Sequence, residues 1–114
     1  MVIPAARSVV LVPFPFSDLS QAKLRPAVAL VAVGRGDWIL CQITSNPYGD
    51  AQAIALDAES FATGALRVVS YARPGKLFTA NRDLIVAQVG VLKTEPFTRI
   101  IEAVVGILHT ALRA

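Results

Sequence analysis

Apolar residues along this chain fall mostly into short β-rich runs separated by turn residues. Residues 8–12 form a β-branched run closed by 13–16, where Pro13 and Pro15 remove ladder donors and hold the backbone extended. Residues 17–24 are mostly polar and read as a loop. Pro26 then opens the apolar run 27–33, because a first strand position tolerates a missing N–H. The connection 34–37 holds two glycines and leads into a further run at 38–43, so the two runs are expected to form a hairpin. Residues 46–50 carry turn chemistry, 53–56 a short strand, and 57–64 a polar stretch expected to be a mobile loop. Strands are expected at 66–71 and 84–92, with a turn at 73–76 and a short extended piece at 77–79.

The period then changes. Phe97, Ile100, Ile101, Val104, Leu108 and Leu112 recur every three or four residues, with Thr94 placed as N-cap and Pro96 in the first turn. The expectation is a mainly β fold with a C-terminal α-helix: many short strands in a small barrel, forming a single domain over 1–114.

Composition sharpens this picture. Hydrophobic residues make up 54% and charged residues 17%, which suggests a further buried surface such as a dimer interface. The formal charge of +3 is modest, but eight arginines outnumber three lysines, and the guanidinium fork matches phosphate oxygens. One cysteine, Cys41, excludes an intramolecular disulfide. No segment reads as a secretory signal or as an uninterrupted apolar span, so the expected location is the cytoplasm, away from membranes. With one His, one Cys and scattered acids, no metal site or cofactor is expected.

Candidate chemistry gathers at one end of the hairpin. Arg25 precedes Pro26 and Thr44-Ser45 follow the third run, so antiparallel pairing about residues 34–37 sets guanidinium and hydroxyls side by side. A fixed cation beside a hydroxyl suits a phosphodiester. Lys23, Ser45, Arg73 and Lys76 are candidate contacts to a nucleic-acid backbone, and Asp18 is a candidate for proton transfer.

The blocks 9–18, 23–30 and 41–45, extended by 76–79 and the closing helix, resemble the MazF/PemK family of toxin endoribonucleases. The resemblance implies an SH3-like β-barrel that forms a homodimer. It also implies metal-independent cleavage of single-stranded mRNA, leaving 2′,3′-cyclic phosphate and 5′-OH ends, with translation arrested and a cognate antitoxin as partner. It places Arg25 and Thr44 at the scissile phosphate. This chain departs from the family pattern in three places. Arg7-Ser8 stands for the usual Gly-Asp, residues 20–24 replace an acidic Gly-rich loop, and Ser70 occupies a position where some members carry Asp or Glu. Two alternatives stay open: a non-enzymatic gyrase poison of the CcdB type, which shares the barrel, and a catalytically inactive barrel that binds RNA or protein.

Overall fold

A computed structural model describes residues 3–15 and 22–113; Asp18, Phe16 and most of the expected 17–24 loop lie outside these. Seven strands form one antiparallel sheet: β1 (Ser8–Pro15), β2 (Ala22–Gly34), β3 (Asp37–Thr44), β4 (Ile54–Leu56), β5 (Phe61–Gly64), β6 (Ser70–Asn81) and β7 (Ala87–Leu92). They are followed by the helix α1 (Thr94–His109). The order across the sheet is β4-β6-β3-β2-β1-β7-β5. Its outermost strands, β4 and β5, are consecutive in the chain and joined only through a 3-10 turn at Ala58–Ser60. Five residue steps from Leu56 to Phe61 span at most about 18 Å. The sheet must therefore roll until its two edges nearly meet, which makes the expected small barrel.

The β2–β3 hairpin turns through Arg35 (φ 57°) and Gly36 (φ 82°), two left-handed residues of the kind that match strand twist. Asn81 Nδ2 donates to the Arg35 carbonyl (3.1 Å) and to Asp37 Oδ1 (3.0 Å), tying the turn to β6.

Both faces of the central strands are buried. On one face Val9, Val28, Leu30, Cys41, Ile43 and Leu92 meet Ile100 of the helix, with Phe97, Ile101 and Val104 alongside. On the other, Val10, Val12, Ala27, Ala29 and Leu40 pack with Ile85 beneath Trp38 and Phe78. This explains why 9–12 and 27–30 read as continuous apolar runs rather than alternating ones. Two cores in so short a chain also absorb much of the 54% hydrophobic content, although Leu24, Val31, Val33, Leu108 and Leu112 remain exposed.

Several boundaries differ from the sequence reading. β2 starts at Ala22, so Arg25 lies within the strand, opposite Val12. The polar stretch 57–64 is ordered rather than a loop: Asp57 Oδ1 accepts from the Glu59 N–H, Ser60 Oγ accepts from the Asp57 N–H, and residues 61–64 pair with β7. Residues 65–69 form a connection, so of the strand expected at 66–71 only Ser70 and Tyr71 are in one, at the start of β6. The expected turn at 73–76 is a bulge inside β6, since between Cys41 and Ile43 the facing residue moves from Leu77 to Ala72. Two residues of β3 thus span five of β6. The helix N-cap is Lys93, not Thr94, and makes no side-chain cap bond; Thr94 Oγ1 instead accepts from Arg7 Nη1 at 3.1 Å. Residues 82–84 form a 3-10 turn, so the last strand starts only at Ala87.

The approach of β5 to β7 depends on glycine. Gly64 adopts φ 71° opposite Gly90, and a Cβ there would collide with the Val89 carbonyl and lie 2.6 Å from the Gly90 Cα. Gly64→Ala is expected to destabilise the fold by roughly 1 to 3 kcal/mol, read as a lower urea midpoint with unchanged slope.

Candidate functional site

The hairpin register sets the site. Ala27 faces Gln42 in the β2–β3 ladder, and the same register continued for two residues puts Arg25 opposite Thr44. On its other side Thr44 pairs with Tyr71 of β6, next to Ser70. These elements open onto a cavity of about 480 Å³ whose polar lining is Arg25, Thr44, Ser45, Arg67 and Ser70. Leu11, Ile43, Leu66 and Val89 contribute its apolar lining. Among the described residues the lining thus contains two guanidinium groups and three hydroxyls, and no carboxylate.

Each polar group is held differently. Arg25 is half-buried with its Nε shut off from solvent, because its strand sits between β1 and β3. Thr44 Oγ1 accepts the Asn46 N–H at 3.2 Å, which orients the hydroxyl and leaves its proton to be donated elsewhere. Ser70 is buried and its Oγ donates to the Val68 carbonyl at 3.0 Å, which braces the 65–69 connection carrying Arg67. Two cations aimed into a partly apolar cleft suit an anionic ligand with planar oxygen pairs.

The sequence candidates divide. Arg25, Thr44 and Ser45 come together in this cavity. Lys23, opposite Phe14 in β2, and Lys76, in the β6 bulge, are exposed and do not line it. Arg73 does not line it either: its Nε donates to Asp50 Oδ2 at 3.1 Å in an ion pair. Bonds from the Gln52 N–H and from Arg73 hold the Asp50 carboxyl below its usual pKa. His109 is exposed on the last turn of the helix. Phe14 packs edge-on to Phe78, ring centroids 5.2 Å apart, which favours packing over base stacking. Among the described residues no group of three or more His, Cys, Asp or Glu is placed to hold a metal ion.

Sequence reasoning missed Arg67. Nothing local marks it; it enters the cavity only because β5 closes the barrel and delivers the 65–69 connection over the hairpin end.

Compared by sequence, the chain matches no family model and no curated protein. Compared by structure, it is similar to a MazE–MazF complex from Deinococcus radiodurans, with TM-score 0.74 and 17% identity over 95% of this chain and 97% of that one. It is also similar to the Mycobacterium tuberculosis toxin MazF-mt6, with TM-score 0.70 and 19% identity over 90% and 96%. A mycobacterial endoribonuclease in complex with its cognate antitoxin gives TM-score 0.68 and 15% identity over 98% and 95%. The chain has the MazF fold, a small β-barrel with one C-terminal helix, as the sequence resemblance implied.

Cys41 lies beneath this region, fully buried, its Sγ donating to the Arg73 carbonyl at 3.2 Å. Burial pushes its thiol up to about 12. In the unfolded chain the thiol ionises near its ordinary value of 9.0, so between pH 9 and 12 the unfolded state holds fewer protons and folding weakens as pH rises. The slope from this group is at most about 1.4 kcal/mol per pH unit. Cys41→Ala is expected to remove that component of alkaline destabilisation in urea titrations at pH 9 to 11. The native thiol is expected to resist iodoacetamide until the protein is unfolded.

Proposed function

We propose that the chain is the toxin of a type II toxin–antitoxin pair, a metal-independent endoribonuclease that cleaves single-stranded mRNA and arrests translation. The observation that carries this reading is the single cavity of about 480 Å³ that Arg25 and Thr44 line together with Ser45, Arg67 and Ser70. The fold it shares with proteins described as endoribonuclease and toxin supports the same conclusion. Such proteins are also found in complex with an antitoxin, which supports a cognate antitoxin as partner here. A homodimer fits the exposed apolar residues that the two cores leave over.

In the proposed reaction the 2′-hydroxyl attacks the adjacent phosphorus, the P–O5′ bond breaks, and the 2′,3′-cyclic phosphate forms while the 5′ oxygen takes a proton from water and leaves as a hydroxyl. Arg25 bridges two non-bridging oxygens and takes up the charge that grows on them, while the Thr44 hydroxyl donates to the same centre. Ser45 and Arg67 grip the strand to either side, with Lys23 and Lys76 as outer backbone contacts. Asp18 is the proposed acceptor of the 2′-hydroxyl proton.

The deciding experiment incubates purified protein with an RNA and with its 2′-deoxy copy, in EDTA, and identifies the fragment ends. Cleavage of RNA alone, giving cyclic phosphate and 5′-OH termini, is expected; equal cutting of both strands would defeat the mechanism. Arg25→Ala and Thr44→Ala are each expected to lower kcat about 10²- to 10³-fold without loss of fold by circular dichroism. Arg67→Ala should act mainly on KM and reduce the salt slope of binding by about 1. Asp18→Asn is expected to lower kcat with KM unchanged.

A further inference from the structure

Tyr48 sits in the loop that leaves the site. Residues 47–50 form a tight turn closed by the Asp50 N–H donating to the Pro47 carbonyl at 2.9 Å, with Tyr48 at φ 54° and Gly49 at φ 72°. The first of these left-handed positions is normally Asn, Asp or Gly, and a bulky ring there is an outlier. The ring gains no burial in return: Tyr48 is 70% exposed, and among the described residues it is the one exposed aromatic.

The loop is nevertheless firmly tied. Thr44 Oγ1 accepts the Asn46 N–H (3.2 Å), Asn46 Oδ1 accepts the Tyr48 N–H (2.9 Å), and Asp50 Oδ1 accepts the Gln52 N–H (2.9 Å). Behind the ring stands Arg73, its guanidinium carbon 5.7 Å from the ring centroid and its Nε bonded to Asp50. Arg73 is itself fixed by the β6 bulge, where its carbonyl receives the Cys41 thiol. The Arg73 cation lies over the ring, and the ring's large exposure leaves most of its surface open to solvent.

We propose that Tyr48 is a stacking platform for an unpaired base of the RNA strand, and that Arg73 is the positioning residue that holds it, rather than a contact to the RNA backbone. The identity of the strand rests on the nuclease reading; the platform rests on the loop. Four residue steps put the Cα atoms of Thr44 and Tyr48 at most about 14 Å apart, within the span of a short oligonucleotide lying in the cleft. A π-face accepts any base, so stacking would fix how a strand lies and leave base choice to hydrogen bonds elsewhere.

The test measures binding of a fluorescent 2′-O-methyl RNA octamer, which lacks the nucleophile, by anisotropy. Tyr48→Ala is expected to weaken binding about 5- to 150-fold, and Tyr48→Trp to retain it. Arg73→Gln is expected to weaken it too, with Tyr48→Ala/Arg73→Gln no weaker than Tyr48→Ala alone, because both act through one ring. Unchanged affinity in Tyr48→Ala, or failure of Trp to substitute, would overturn the platform. Cleavage of unmodified RNA by the wild type is scored in parallel. Cleavage with Tyr48-independent binding rejects the platform and keeps the nuclease; Tyr48-dependent binding without cleavage does the reverse; no binding at all rejects both.

Discussion

The antiparallel register of β2 against β3 is the constraint on which the site depends. Two left-handed residues at the hairpin turn, Arg35 and Gly36, set it locally, and both faces of the strands being buried makes it costly to change. A slip by one residue would exchange the Val28 and Leu30 face with the Ala27 and Ala29 face, pushing large side chains into the space of small ones in one core and emptying the other. It would also move Arg25 from opposite Thr44. The hydrophobic packing and the proposed chemistry are therefore protected by the same requirement.

Closure of the barrel supplies the remaining wall. The β4 and β5 edges belong to one short stretch of chain, so once β4 pairs with β6 and β5 with β7 the sheet has little freedom but to curl. The close contact of Gly64 with Gly90 sets how far β5 comes in, and residues 65–69 follow directly, bringing Arg67 to the cavity. The capped turn at 57–60 joins the same assembly through the Lys93 N–H, which donates to the Ser60 carbonyl just before the helix. The site wall, the barrel seam and the helix start are thus mechanically linked.

What was legible in the sequence follows from range. The hairpin could be read because its turn lies between its own strands, and the helix because Phe97, Ile100, Ile101 and Val104 keep one period. The number of short strands pointed to a small barrel, and the hairpin brought Arg25 and Thr44, which line one cavity, to the same end. Most of the misreadings concern residues whose conformation is decided by distant partners. Residues 61–64 look polar but gain a ladder from β7, while residues 66–69 look β-like but have none. The sequence 73–76 has turn composition, yet Pro74 is buried in a bulge because β3 passes beside it. Arg67 had no local signal at all.

The fate of the three central arginines separates scaffold from site more clearly than their number does. Arg73 has a half-buried carboxylate partner, Asp50, and an aromatic neighbour, which is how a folded protein disposes of a cation it uses structurally. Arg25 and Arg67 line one cavity together with the Thr44, Ser45 and Ser70 hydroxyls. Two guanidiniums and three hydroxyls around one cleft are the chemistry on which the proposed phosphate contact rests.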